Sequence, residues 1–226
     1  MRFQDAARDA RAVVYAGIQA EPLVARTATL LADASATQRL LARAVMNGET
    51  ADPVTWRAIF PTLFGPSASG DDVETARSES ILAASLAVAD RGEQVRSQVR
   101  GALIEELTAQ LLARRVGAAA VRRERRILFD GVRAEIHPYD VTVERDGAAE
   151  AYDCKWGARG INADVLHQLD DARTHASEED ERLSVALVVF DARRSCDVRL
   201  ARQTAPHEGT VLVTLESLDQ LARPDG

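Results

Sequence analysis

The dipeptide Asp146-Gly147 lies between two segments in which apolar and polar residues alternate, and it constrains the fold more than any other feature. Asp and Gly tolerate the positive φ angles of a type I′ turn, so the pair predicts a β-hairpin with a two-residue loop. Residues that face each other across such a hairpin have numbers that sum to 293, as 146 and 147 do. Asp140 is then directly opposite Asp153, with the two Cβ atoms about 5 Å apart on one face of the sheet.

Lys155 follows Asp153 by two residues, so the period of a strand places it on the same face. It is the only lysine, because 27 of the 28 basic residues are arginine. A guanidinium is planar and bulky, and it cannot replace a compact ammonium beside a carboxylate. Two opposed carboxylates need a counter-charge, which a divalent cation and Lys155 would supply. The alternative is a chance lysine on a solvated hairpin with two surface acids.

Carboxylate oxygens suit a hard cation such as Mg²⁺, which is commonly held by one or two carboxylates together with water and substrate phosphate. Such an ion polarises a phosphoryl oxygen, while Lys155 acts as a water-positioning base or as an electrostatic stabiliser. The pattern therefore favours phosphodiester hydrolysis. The chain contains no P-loop, GxSxG or zinc-finger spacing, which argues against the NTPase, serine-hydrolase and zinc classes.

Residues 1–92 are predicted to be an all-helical region. Glu21-Pro22 opens a helix whose apolar stripe continues to Asn47-Gly48, and Asp52-Pro53 opens another. Asp71, with Glu74 three residues later, predicts the cap of a helix that runs to about Asp90. This region could position DNA, mediate homodimerisation or bind a partner protein, and the sequence does not choose among these roles.

Residues 93–226 are predicted to form a second, α/β domain. An amphipathic helix ends at Gly117, and alternation of apolar and polar residues then predicts strands. The expected strands are near Arg126–Phe129, Arg133–Ile136, Asp140–Glu144 and Ala149–Trp156, followed by a helix near Ala163–Ala176, a strand at Leu183–Asp191, and a final strand and helix. This order indicates a mixed sheet flanked by helices.

The segments "HPYDVTV" and "DCK" resemble the two half-motifs of the PD-(D/E)xK, restriction-endonuclease-like nuclease superfamily. The resemblance implies a restriction-endonuclease-like core in residues 94–191, with Asp140 and Asp153 as metal ligands and Lys155 as a catalytic residue. Two departures are that Tyr139 separates Pro138 from Asp140, and that the second acid is Asp where Glu is commoner.

The first helix of this superfamily often carries a further acid. "GALIEE" is similar to the Gly-x-x-x-Glu start of the methylated-DNA restriction endonuclease subgroup, which implies that Glu105 assists the metal site, with Glu106 as the alternative. Exonuclease-like branches place a Gln in the later helix and a Tyr four residues after it. Here Gln168 is followed by Ala172, so the exonuclease subgroup is not assigned, and Gln168 either faces the DNA or is a solvated helix position.

An arginine-rich segment enters the predicted sheet and includes Arg122, Arg123, Arg125 and Arg126. It could follow a phosphate backbone, or it could be a solvated loop paired with Glu124 and Asp130. The net charge of −7 argues against a general nucleic-acid coat protein. Aromatic residues make up only 4% of the chain, which disfavours single-strand recognition by base stacking, so duplex DNA is the expected substrate.

The sequence thus predicts a DNA endonuclease that depends on Mg²⁺, for which Mn²⁺ could substitute, in restriction or phage defence. Two alternatives are a non-catalytic nucleic-acid-binding or assembly subunit with a nuclease-like fold, and an RNA-directed nuclease. No run of 18 apolar residues and no charged-then-apolar leader occurs, so a cytoplasmic chain without membrane association is expected.

Overall fold

The structure is a computed structural model that describes residues 1–6, 10–65, 71–133, 137–145, 147–206 and 208–224. The chain divides into two compact units. The sheet unit consists of Met1–Arg11 and Thr108–Gly226, and the helical unit consists of Ala12–Leu107. The predicted boundary at residue 92 differs from this division, because the observed boundary falls inside a long helix.

Side-chain caps or prolines mark the starts of several helices in the first half of the chain. The helices are α1 (Ala10–Gln19), α2 (Pro22–Ala32), α3 (Ala36–Asn47), α4 (Pro53–Ile59), α5 (Pro61–Phe64), α6 (Asp72–Ala89) and α7 (Glu93–Val116). The predicted helix starts at Pro22 and Pro53 are confirmed. So is the predicted cap of α6, because the Asp71 carboxylate accepts a hydrogen bond from the N–H of Glu74 at 2.9 Å.

The single helix predicted from Pro22 to Asn47 is wrong, because the structure breaks it into α2 and α3. The Ser35 hydroxyl accepts a hydrogen bond from the N–H of Gln38 at 3.3 Å, and the Gln38 side chain accepts one from the N–H of Ser35 at 2.9 Å. This capping box satisfies N–H groups at the start of α3. Both α2 and α3 bury apolar residues in the helical unit, so the apolar stripe in the sequence continues across the break.

A mixed β-sheet forms the centre of the sheet unit. Its strands are β1 (Arg2–Asp5), β2 (Val121–Phe129), β3 (Val132–Arg133), β4 (Tyr139–Arg145), β5 (Ala148–Lys155), β6 (Leu183–Val189) and β7 (Val211–Thr214). Their order is β1-β2-β4-β5-β6-β7, with β3 paired to β2. Pairing is antiparallel from β1 to β5 and parallel between β5 and β6 and between β6 and β7. The predicted α/β class with a mixed sheet is confirmed.

Helix α8 (Ala163–Glu178) joins β5 to β6, and α9 (Arg193–Leu200) lies between β6 and β7. The sequence predicted α8 and missed α9. It also missed β1, so the expectation that residues 1–92 are entirely helical is wrong at Arg2–Asp5. A four-residue strand is too short to show a clear period of two. Of the strand predicted at Arg133–Ile136, residues 134–136 lie outside the described part of the chain.

Successive residues of β5 face opposite sides of the sheet. Ala151, with its β6 neighbour Val185 on the same side, belongs to an apolar core that also contains Leu166 and Leu169 of α8, and we call this side the α8 face. Tyr152 and its neighbours on the other side face the last turns of α7, and we call that side the α7 face. In β2, Glu124 has a φ angle of 53°, a conformation that bends the strand.

In the residues that the structure describes, no helix is both long enough and apolar enough to cross a membrane.

Candidate active site

The β4–β5 hairpin has the register that the turn at Asp146-Gly147 predicts. Val141 pairs with Tyr152, and each later pair, down to Arg145 with Ala148, keeps the same sum of residue numbers. Gly147 has a φ angle of 77°, as the turn requires, whereas Asp146 lies outside the described residues. Continued by one residue, this register brings Asp140 opposite Asp153.

Asp140 lies where the paired part of the hairpin ends. Its carboxylate oxygen Oδ2 accepts a hydrogen bond from the backbone N–H of Cys154 at 2.6 Å. The side chain of Asp140 therefore reaches across to β5 just beyond the last backbone pair, Val141 with Tyr152. A hydrogen bond from a backbone N–H fixes the orientation of the carboxylate without neutralising its charge.

Lys155 forms an ion pair with Asp153, in which Nζ lies 2.5 Å from Oδ1. The Asp153 side chain is 7% exposed and the Lys155 side chain is 27% exposed, so the ammonium is the more accessible partner. The two residues occupy the α8 face, because their β6 neighbours Leu187 and Val189 belong to the core on that face. The structure thus brings Asp140, Asp153 and Lys155 together, as the sequence predicts.

The two carboxylates also determine the charge of Lys155. Burial by itself lowers the pKa of this amine, but the negative charges of Asp153 and Asp140 outweigh it, so the pKa of Lys155 is raised above its usual value. Lys155 is therefore an ammonium at neutral pH.

A short turn after β5 packs against the side chain of Lys155. A Cβ atom built on Gly160 would lie 2.7 Å from the Cβ of Lys155, so only glycine fits there. The turn is anchored by the buried Asp191, whose carboxylate accepts hydrogen bonds from the N–H groups of Ala158 at 3.0 Å and Ala192 at 2.8 Å. The roles of Gly160 and Asp191 were not predicted from the sequence, although the two glycines of "KWGARG" signal a tight turn directly after the lysine.

Gln168 of α8 supports the segment that leads into β4. It is 4% exposed, its side-chain oxygen accepts a hydrogen bond from the N–H of His137 at 3.1 Å, and its carbonyl accepts one from the Tyr139 hydroxyl at 3.3 Å. The alternative that Gln168 is a solvated helix position is therefore wrong. A contact between Gln168 and DNA stays a prediction.

Glu105 belongs to the helical unit. It is 7% exposed, and its carboxylate accepts hydrogen bonds from the Tyr15 hydroxyl at 2.6 Å and from the Gln19 amide at 2.8 Å. Glu106, the alternative acid, is half-buried. That either acid assists the metal site stays a prediction.

A role in following the phosphate backbone predicts that the arginine-rich segment lies on the same side of the sheet as Asp140 and Asp153, but its side chains are divided between the two faces. Arg122 pairs with Thr142 and Arg123 pairs with Val141, so their side chains point to opposite faces. Arg122 is exposed and shares the α8 face with the two carboxylates, because Thr142 pairs with Ala151.

Arg125 forms ion pairs with two acidic residues of the protein. Its Nε lies 2.7 Å from a Glu144 oxygen, and a second nitrogen bonds to Asp5. The hydrogen bond to Glu144 is the main cause of the raised pKa of Arg125. Arg125 is thus paired with acidic residues, as the second interpretation of this segment predicts, although its partners are Glu144 and Asp5. DNA contacts by Arg123 and Arg126 stay predictions.

The cluster of Asp140, Asp153 and Lys155 carries a formal charge of −1, and its four carboxylate oxygens are the donor type that hard divalent cations prefer. Within the described residues, no group of three or more His, Cys, Asp or Glu side chains is placed to hold a metal ion. A cation at this site would therefore take two protein carboxylates and fill its other positions from water and substrate.

No protein-family model matches the chain, and no curated protein matches it. Among solved structures it is similar to the crystal structure of protein VC1899 from Vibrio cholerae, with 16% sequence identity and a TM-score of 0.45. The similarity covers 89% of this chain and 55% of that chain, so this chain spans about half of that protein's length.

Proposed function

We propose that the chain is a metal-dependent endonuclease with a restriction-endonuclease-like core, and that it hydrolyses phosphodiester bonds of duplex DNA in restriction or phage defence. The observation that carries the proposal is the meeting of Asp140, Asp153 and Lys155 at one end of the β4–β5 hairpin. The order α7, β2, β4, β5, α8, β6 supports it, because it resembles the core of the PD-(D/E)xK superfamily.

Asp140 and Asp153 would hold Mg²⁺ or Mn²⁺. Their opposition across the hairpin is unfavourable without positive charge nearby, and one lysine leaves part of the negative charge uncompensated. A bound divalent cation would supply Lewis-acid polarisation of the scissile phosphate.

Lys155 would stabilise the negative charge that develops on the phosphoryl oxygens. Its ammonium is held beside Asp153 by the ion pair and by the turn that contains Gly160, so it needs little reorganisation during the reaction. Arg122 is the DNA contact that the geometry favours among the predicted arginines, because it is exposed on the same face as the carboxylates.

The test is single-turnover cleavage of plasmid, linear and methylated duplex DNA with Mg²⁺ or Mn²⁺. We expect cleavage only with metal, and loss of cleavage in Asp153→Asn but not in Asp171→Asn, an exposed acid on α8 that receives the same substitution. Cleavage of structured RNA with DNA untouched would reassign the substrate. Failure to cleave any nucleic acid with either metal would reject the nuclease function.

A second candidate is a binding or assembly subunit that keeps the fold without catalysis. It is favoured by the contact of Lys155 with Asp153, which would then serve only to stabilise the end of β5. In that case Mg²⁺ and Mn²⁺ would not raise the melting temperature, because neither ion would bind the folded chain. DNA binding would persist in Asp153→Asn.

A further inference from the structure

A cavity of about 530 Å³ lies on the α7 face of the sheet, beside β5, β6 and β7. Glu150 and Tyr152 line it, and so do their β6 neighbours Ser184 and Ala186. The cavity and Asp153 are therefore on opposite sides of β5. Its volume is within the range of roughly 300–1,000 Å³ that is typical of small-molecule sites.

The charged residues of the cavity are predominantly basic. Arg115, Arg145 and Arg182 line it together with one acid, Glu150. Arg115 and Arg145 both bond to the Glu150 carboxylate, the second at 2.6 Å. One carboxylate cannot neutralise three guanidinium groups, so the cavity keeps an excess of positive charge.

Three polar side chains of the cavity have no partner among the residues that the structure describes. The guanidinium of Arg182, the hydroxyl of Ser184 and the amide of Gln220 make no hydrogen bond or ion pair with the residues that the structure describes. The backbone carbonyl of Arg182 does accept a hydrogen bond, from the N–H of Ala149 at 2.8 Å. These groups can therefore bind a ligand without breaking an internal bond.

Apolar residues complete the cavity. Val211, Val213 and Leu221 line it beside the polar groups, and Val213 and Leu221 are buried. An apolar wall with a few convergent polar groups is the usual composition of a site for a small organic molecule. A site for a bare inorganic ion does not require apolar residues.

We propose that this cavity binds a small organic anion, with its charged group on the guanidinium of Arg182 and an apolar or aromatic body against Val211, Val213 and Leu221. Ser184 and Gln220 provide further hydrogen bonds. Phosphate and carboxylate share this chemistry, since an arginine binds either with two parallel hydrogen bonds. The site is separate from the proposed nuclease centre.

The test uses the full chain and the fluorescent aromatic sulfonate 1-anilinonaphthalene-8-sulfonate as the probe. We expect saturable binding of one probe per chain, and a loss of affinity of about tenfold in Arg182→Ala, because a charged hydrogen bond is removed. Arg194→Ala, an exposed arginine of α9 that does not line the cavity, should bind the probe as the parent does. Cooperative thermal unfolding of each variant confirms that the probe reports a folded chain.

Competition then identifies the charged group. Displacement of the probe by adenosine monophosphate indicates a phosphate ligand, and displacement by benzoate indicates a carboxylate ligand. The proposal is overturned if the parent shows no saturable binding, if Arg182→Ala binds as tightly as Arg194→Ala, or if neither competitor displaces the probe. Asp153→Asn should bind the probe normally, so a failure of the nuclease proposal leaves this result unaffected.

Discussion

Gly160 approaches Lys155 so closely that the glycine has no room for a side chain. A Cβ atom at this position would lie 2.7 Å from the Cβ and 2.8 Å from the Cγ of Lys155. The Cβ of Lys155 is fixed by the backbone, so it cannot move away without moving β5. The glycine therefore helps to set the position of the ammonium beside Asp153.

Gly160→Ala should displace Lys155 while leaving every charge in place. We expect a loss of stability of about 1–3 kcal/mol from overpacking, together with at least a tenfold fall in the single-turnover cleavage rate. Gly17→Ala is the matched control, because a Cβ there meets no atom within 4 Å and Gly17 lies in α1. Cleavage by Gly160→Ala at the parent rate would show that the exact position of the lysine is unimportant.

Lys155→Arg preserves the positive charge but replaces an ammonium by a planar fork. We expect metal binding to remain and the cleavage rate to fall on the order of 10²-fold, since the guanidinium cannot occupy the position of the ammonium. The reverse exchange at an exposed site, Arg194→Lys, should have no effect. The measurement is the single-turnover cleavage rate at saturating Mg²⁺. An unchanged rate in Lys155→Arg would show that Lys155 has no catalytic role.

Asp153→Asn removes half of the carboxylate charge available to a cation. In the parent, Mn²⁺ at about 100 times its dissociation constant should stabilise the folded chain by about 2.7 kcal/mol, and the variant should lose most of this gain. Asp171→Asn should keep it. The measurement is the melting temperature as a function of Mn²⁺ concentration. Equal stabilisation of parent and Asp153→Asn would contradict the assignment of Asp153 as a ligand.

Glu150→Gln should change how stability depends on pH. Burial by itself raises the pKa of Glu150, but its hydrogen bonds to Tyr152 and the two arginines outweigh this effect and lower the pKa. A lowered folded-state pKa stabilises the fold above the unfolded value, about 4.3, and this contribution is lost as the pH falls through the folded pKa.

The variant should therefore be less stable than the parent by about 1–3 kcal/mol at pH 7, and the difference should shrink in acid. Urea unfolding at several pH values measures it, with the exposed Glu49→Gln as the control. A difference that stays constant from pH 7 to pH 3 would show that the charge of Glu150 makes no contribution.

The hairpin could be predicted from the sequence because its information is local. The turn at Asp146-Gly147 fixes the register, and the register fixes which side chains share a face. Asp140, Asp153 and Lys155 are all placed by that single relationship. The break between α2 and α3 is also local, since the capping residues Ser35 and Gln38 are three apart, but the continuous apolar stripe obscured it.

Contacts between residues distant in sequence could not be predicted in the same way. Asp191 supports the turn at Ala158 from 33 residues away, and no periodicity links them. The cavity combines residues of β5 with Val211 and Leu221, which become neighbours only when the parallel strands assemble. A run of arginines likewise says little about its partners, because β2 distributes its members between two faces.

Because β5 separates two chemically different sides, its length matters more than most of its individual residues. A substitution of Tyr152 or Asp153 alters one side and leaves the other intact. The loss or gain of a single residue within β5 would turn every residue on one side of that change to the opposite face, placing an acid among the arginines or an aromatic ring beside the acids. Single substitutions could therefore change the chemistry of either side independently, whereas insertions and deletions would have to fall outside this strand.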